Sequence, residues 1–478
     1  MLSRSLSLKE ATAINMIDMV GIGPFIAIPF IIGAMNGPVC IIAWLLGTLL
    51  AFADGCVWAE LGAKWPEAGG SYRFLKKLYG EKTYGKYFSF LFLWQTTIQA
   101  PLVIASGAIG FSQYFSYLIP LASWQQKAVS GALVILVTIL LYRKISDVGK
   151  ISMFLWAGVL IMFAWLIFGG LTHFNSSQAF DFSINIFLEG KRASWFSTIF
   201  FVALGQASIR TIYCYLGYYN VCHLGGEIKN PEKNIPRSIF ISIAFITIIY
   251  LLMQVSVLGV IPWQEAKDSK FIISTFFERI YGHSAAIIAT GLILWICLAS
   301  LFSVMLGYSR IPYAAAVDGN YFKIFARLHP TKNFPNASLL ILAGVAFVFS
   351  LLFKLKEVII AIIVMRILIQ FVSQAVGLII YRYKNSEFKV QSSKFKVAAH
   401  SEEAQNLKLQ TPNSKPVFPF RMFLFPLPAL VAIAIWLFVF FSSGMNYILG
   451  ALGIILSGTV LFFIFSGMKK TAEMKKEY

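Results

Sequence analysis

Residues 209–237 read IRTIYCYLGYYNVCHLGGEIKNPEKNIPR, and this stretch decides the fold. Together with the apolar run that opens at Phe196 it is long enough to cross a bilayer. Its middle nevertheless turns aromatic and polar, with Tyr213, Tyr215, Gly217, Tyr218, Tyr219 and Asn220, before it ends in a charged loop. A glycine and several hydrogen-bonding side chains at mid-membrane depth are costly unless they border a cavity or a polar ligand. A second interruption stands near the N-terminus, where Gly21, Ile22, Gly23 and Pro24 break the first long apolar run. Paired interruptions in corresponding helices of two repeat halves point to a transporter's binding site. The rest of the chain reads as scaffold around that pair.

Composition agrees with this reading. The 478 residues are 58% hydrophobic and only 13% charged, with a mean hydropathy of +0.73; a soluble chain is about a quarter charged. Apolar runs of about 18 residues or more recur along the whole length, which predicts an all-α polytopic membrane protein. Candidate spans fall at 11–34, 38–62, 86–118, 125–142, 150–171, 196–226, 238–261, 284–317, 337–353, 358–381, 419–442 and 446–467, about twelve transmembrane helices in all. Residues 1–10 form a cytoplasmic N-terminus, and 11–171 a first five-helix repeat. Residues 172–381 form a second five-helix repeat with periplasmic or extracellular loops, and 382–418 a polar cytoplasmic insert. Helices eleven and twelve occupy 419–467, and 468–478 is a basic cytoplasmic tail. Spans one and six are both broken by glycine. Five spans invert the membrane direction, so the two breaks are expected to face each other across a pseudo-two-fold axis.

The net charge of +19 is no sign of nucleic acid. Lys and Arg gather in alternate loops, several times more on one side than on the other, and the positive-inside rule then places both termini in the cytoplasm. The first span is too long for the apolar core of a cleavable signal peptide and is expected to be retained in the cytoplasmic (plasma) membrane. Cys40, Cys56, Cys214, Cys222 and Cys297 lie in or beside apolar spans without paired spacing, and read as small packing residues. The five histidines form no ligand cluster, so neither a metal nor any cofactor is expected. A phosphate-binding GxxxxGK[ST] motif is not apparent, which leaves ATP drive unsupported. No nucleophile, base and metal converge, so an enzyme is not expected. Residues 384–416, rich in Lys, Ser and Gln, read as a flexible cytoplasmic connection.

Three motifs carry a family resemblance. Residues 59–72 read AELGAKWPEAGGSY, residues 226–237 read GEIKNPEKNIPR, and residues 309–319 read SRIPYAAAVDG. In that order they resemble the AELGAxxPxAGGxY, GEExKNPxRxIPR and SRxxYAxARDG segments of the amino acid/polyamine/organocation (APC) superfamily. The resemblance implies a LeuT-type 5+5 inverted repeat plus two C-terminal helices. It also implies secondary transport of amino acids or related amines by alternating access, with the ligand between spans one, three, six, eight and ten. The sequence departs from the family pattern in places. Span one carries Gly21-Ile22-Gly23-Pro24-Phe25 where many members have GSGIF, a variant similar to the polyamine-uptake branch. Val159 stands where some proton-coupled members carry a lysine.

These residue types suit an amino acid, whose carboxylate and ammonium both need partners away from water. A broken helix exposes amides at the start of its second half and carbonyls at the end of its first. The amides around Ile22, Gly23 and Phe25 are candidate carboxylate ligands, with Pro24 removing one donor. The carbonyls from Tyr213 through Tyr215 to Leu216 are candidate ammonium ligands, and Gly217 permits close approach. Tyr213 and Tyr219 are the favoured pocket tyrosines. Asp18, about a turn before Gly21, has three open roles: binding a substrate amine, carrying a coupling proton, or pairing with an arginine such as Arg210. Asp54 in span two is a second protonatable candidate. Gln95 and Gln99 share one face of span three and either line the cavity or join two helices. Ser300 and Ser303 lie where a sodium-coupled relative would place a hydroxyl, although proton coupling or exchange is expected ahead of sodium. The substrate expectation is an amino acid first and a cationic amine second, with an amine sensor that moves nothing as the alternative of another class. Membrane lipid is the surrounding partner, and the oligomeric state stays open.

Overall fold

The computed structural model describes residues 2–183, 186–188, 191–353, 355–398 and 420–474. Among the described residues the regular elements are helical apart from a two-residue antiparallel pair, β1 (Phe187–Leu188) with β2 (Lys191–Arg192). The first half comprises α1 (Leu8–Met19), α2 (Gly23–Met35), α3 (Ile41–Lys64), α4 (Ser71–Leu78), α5 (Gly85–Leu118), α6 (Ser123–Leu141), α7 (Ile145–Thr172) and the short α8 (Ser176–Ala179). The second half comprises α9 (Thr198–Tyr215), α10 (Asn220–His223), α11 (Pro231–Val260), α12 (Trp263–Ala266), α13 (Ile272–Tyr281), α14 (His283–Tyr308), α15 (Arg310–Val317), α16 (Asn336–Leu352), α17 (Leu355–Arg366) and α18 (Ser373–Ala398). Two further helices close the chain, α19 (Leu427–Ser442) and α20 (Met445–Met474).

Among the described residues, eight helices are long and apolar enough to cross a membrane, and the bent pair α1–α2 makes a ninth. The shorter apolar α16 and α19 and the 18-residue α9 stand at the remaining expected spans. The polytopic helical class therefore holds. Large apolar side chains stay exposed along the outer helix faces, among them Leu49, Ile139, Phe154 and Leu456, as suits a surface facing lipid instead of water.

Some boundaries moved for local reasons. Helix α11 starts at Pro231, seven residues before the expected span, because Asn230 takes a left-handed φ of 44° and proline is tolerated in a first helical turn. Helix α18 runs on to Ala398 through part of the stretch expected to be flexible, since no glycine or proline interrupts it there. The rest of the polar insert, 399–418, and the tail end, 475–478, lie outside the described residues.

Both expected breaks are present. Helices α1 and α2 meet at 45° across Val20, Gly21 and Ile22. Helix α9 stops at Tyr215, Leu216 is extended, and Gly217 has a φ of 125°, a conformation that disfavours any side chain. A Cβ at Gly217 would also fall 2.7 Å from the Met19 nitrogen and 2.9 Å from the Asp18 carbonyl carbon. The bare glycine is thus what lets the second break press against the first. Around them α2 packs on α9, α3 on α11 and α5 on α14, pairing spans one with six, two with seven and three with eight. An inverted repeat produces this pairing.

Candidate functional site

A cavity opens between the two breaks, offering about 70 Å³ to the centre of a water-sized sphere. Asp18, Gly21, Ile22, Gly23, Tyr213, Leu216, Gly217 and Tyr219 all line it, as does Ser300. Gly23 is held to the wall by close approach, since a Cβ there would lie 2.8 Å from the Tyr213 ring. The carboxylate of Asp18 has no hydrogen-bond or ion-pair partner among the described residues, although it feels the field of Arg366.

The other candidates lie off the cavity wall. Pro24 and Phe25 are buried in the first turn of α2, where Phe25 stacks on Phe163. Tyr215 turns away to pack on Trp44 and Tyr250 and to bond the Thr48 hydroxyl at 2.8 Å. Gln95 is buried with neither amide atom partnered among the described residues, while Gln99 donates to the Tyr308 hydroxyl at 3.1 Å. Ser303 works as a tie: it donates to the Ile14 carbonyl at 2.7 Å and accepts from the Asn220 amide at 2.9 Å. Asp54 sits behind the second break, accepting from the Trp58 indole at 2.9 Å and from the Tyr218 hydroxyl. Arg210 donates to the Gln206 carbonyl at 2.6 Å and faces an outer vestibule instead of pairing with Asp18.

The structure adds residues that the sequence reading passed over. Arg366 ends α17, is 2% exposed, and lines the cavity just where the chain enters a π-helical stretch, Ile367–Val372. Such single-turn irregularities are frequent at functional sites. A lone arginine inside the apolar run 358–381 was the signal that could have found it. Asn220, His223 and Tyr308 also line the cavity. Tyr250 of α11 binds both breaks at once, donating to the Met19 carbonyl at 2.8 Å and to the Cys214 carbonyl at 3.1 Å. The ends of α1 and α9 are thereby bolted together, and two of the carbonyls beside the breaks are already engaged. Tyr250→Phe is expected to destabilise the protein by about 1–3 kcal/mol, because the buried Cys214 carbonyl loses this donor and the Met19 carbonyl is left with the Gly21 amide. A thermal midpoint measured in detergent checks this, and a midpoint equal to the wild type would mean that water replaces the hydroxyl.

The three sequence motifs meet at one end of the bundle and shut it. Arg310 forms a two-pronged ion pair with Glu227 at 2.9 and 3.0 Å, with side chains 3% and 0% exposed. The Glu227 carbonyl accepts from the Ser5 and Leu6 amides, tying down the N-terminal segment. The Gly69 amide donates to the His223 carbonyl at 3.0 Å, joining the first motif to the second break. Glu60 pairs with Arg382 at 2.9 Å and accepts the Met422 amide at 2.8 Å. Asp318 meets Arg73 and Lys76, each at 2.5 Å. Burial pushes the Asp318 carboxyl up, but the hydrogen bonds from Lys76 and Arg73 outweigh it and hold the group below its ordinary range. A depressed acid stabilises fully above its unfolded value, and the benefit fades only as pH falls through the lower folded value. Asp318→Asn should therefore cost about 1 kcal/mol equally at about pH 6 and about pH 8. A cost confined to one of these pH values would locate the titration elsewhere.

At the opposite end the molecule is open. Helix α1 starts at the shut end, beside Glu227, and α2 leads away from it. Further along α2, Pro29 and Phe30 line a vestibule of about 590 Å³ with Arg210, Lys267 and Lys270. Gly23 and Tyr213 line both spaces and separate them. Among the described residues no group of three His, Cys, Asp or Glu side chains could hold a metal ion.

A bundle of apolar helices of membrane-spanning length, with a cavity between two broken helices, defines the class of the protein: a polytopic helical membrane protein. The sequence profile of the amino acid permease family matches residues 6–401, and the chain belongs to that family. It is similar to the aspartate-proton symporter of Bacillus subtilis, 26% identical over 71% of this chain and 66% of that protein. It is also similar to the cationic amino acid transporter 4 of Mus musculus, 23% identical over 80% of this chain and 61% of the relative. The serine/threonine exchanger SteT of Bacillus subtilis is 26% identical over 70% of this chain and 73% of its own length. The chain thus spans somewhat less than two thirds of the first two of these relatives.

Proposed function

We propose that this protein is a secondary active transporter of amino acids, working by alternating access in the cytoplasmic membrane with both termini in the cytoplasm. One observation carries the reading: a cavity with an unpaired carboxylate and helix-start amides lies between the two breaks, next to a vestibule at one end and shut off at the other. The positive-inside count supports a cytoplasmic shut end and an outward-facing vestibule. The amino group of the substrate would sit at Asp18, and its carboxylate on the amides of Ile22 and Gly23, where α2 begins. Relatives that include a proton symporter and an exchanger support either coupling mode.

Uptake of a cationic amine is the second reading, favoured by Asp18 and by the relative named for cationic amino acids. Arg366 in the cavity wall counts against it, because a fixed buried cation repels another. The test is uptake by proteoliposomes of a labelled panel of amino acids and polyamines, with and without an inward proton gradient and with and without internal substrate. Accumulation driven by the gradient is the outcome expected of a symporter, and uptake only against internal substrate that of an exchanger. Saturable binding with no flux under any condition would replace the transporter by a sensor.

A further inference from the structure

Two arginines at the shut end, the buried Arg310 and the partly buried Arg382, each meet a carboxylate at 2.9 Å. Arg366 does not. Its guanidinium donates to the Tyr219 hydroxyl at 2.5 Å and to the Gln370 side-chain oxygen at 2.7 Å, and lies over the Tyr219 and Phe371 rings. All of these partners are neutral, and among the described residues no carboxylate stands within ion-pairing distance of it. Asp18 acts on it only through its field. A guanidinium held at membrane depth by neutral groups alone is incompletely compensated. Also on the cavity wall, His223 is 2% exposed and has neither ring nitrogen hydrogen-bonded to any described residue. The cavity therefore presents a cation and an unused imidazole in addition to the groups that an α-amino acid backbone requires.

The vestibule repeats the sign. Arg210, Lys267 and Lys270 face it against one acid, Asp268, and none of the three cations forms an ion pair among the described residues. Such a mouth raises the local concentration of anions and lowers that of cations.

Resting on the transport reading above, we propose that the preferred cargo carries a second carboxylate, as an acidic amino acid does, and that Arg366 with His223 binds it. The substrate then bridges the cavity, its ammonium toward Asp18, its α-carboxylate on the start of α2 and its side-chain carboxylate on Arg366. Each charge on the cargo meets an opposite charge or a donor, and Arg366 gains the anion its own protein does not provide. A site built around a charge-assisted pair rejects the neutral isostere strongly, because the buried group is then left unpaired.

The experiment is competition in proteoliposomes carrying the wild-type protein, with labelled glutamate and, in parallel, labelled glutamine as tracers and unlabelled glutamate, aspartate, glutamine and asparagine as competitors. The acids are expected to compete at least about tenfold better than their amides. Arg366→Gln should abolish that preference, lowering kcat/KM for the acids at least about tenfold more than for the amides. Lys270→Gln, at the mouth, should lower kcat/KM for the acids at low salt and make little difference at high salt. Amides moved as well as or better than the acids by the wild type would overturn the inference and leave the transport reading standing. If no amino acid moved at all, the transport reading itself would fall. The wild-type ranking decides the matter even where Arg366→Gln fails to fold.

Discussion

Asp18→Asn is expected to raise the KM for the transported amino acid about 30-fold, with kcat for exchange changed less. The carboxylate stands on the cavity wall, one turn before the helix break, with its polar oxygens committed to no described protein group. An asparagine fits the same space and keeps the hydrogen-bonding shape but discards the charge. A charge-assisted hydrogen bond exceeds its neutral counterpart by about 2 kcal/mol, which is the stated change in affinity. The variant also separates two roles. If Asp18 binds the ammonium, both exchange and gradient-driven uptake weaken together. If it carries the coupling proton, exchange survives while accumulation against a proton gradient disappears. Unchanged KM and unchanged accumulation would remove Asp18 from the site.

The second large effect concerns stability. Arg310→Ala should destabilise the protein by about 3–5 kcal/mol, because it leaves the fully buried Glu227 without its partner. The damage spreads through the backbone, since the same Glu227 holds Ser5 and Leu6 by its carbonyl. Replacing both partners by apolar residues of similar volume, Arg310→Met with Glu227→Leu, is expected to recover most of the loss. Thermal midpoints of the single and double variants in one detergent measure this. A single variant within about 1 kcal/mol of the wild type would mean that water reaches Glu227, and the shut end would then be looser than its geometry implies.

Much of this architecture was legible before any coordinates, and for a physical reason. Hydropathy and backbone satisfaction in lipid leave few options, so each long apolar run became a helix, and both glycine-bearing interruptions became real breaks at Gly21 and Gly217. The chemistry of individual side chains was less legible. Periodicity does not say which of several neighbouring tyrosines faces inward: Tyr213 and Tyr219 line the cavity, Tyr218 binds Asp54, and Tyr215 packs on Trp44. Arg210, a candidate partner for Asp18 because it stands about a turn before Tyr213, points instead to the vestibule. Arg366 comes from span ten, far along the chain, and only the tertiary fold carries it to Tyr219. The same holds for Tyr250, whose two carbonyl acceptors belong to helices that sequence alone does not bring together.

The most direct test of the account is a structure of the protein with a transported amino acid bound. Ligand density is expected between the two breaks, with the carboxylate against the amides at the start of α2 and the amino group within hydrogen-bonding distance of Asp18. Density confined to the vestibule, with the cavity beside Gly21 and Gly217 unchanged, would contradict it.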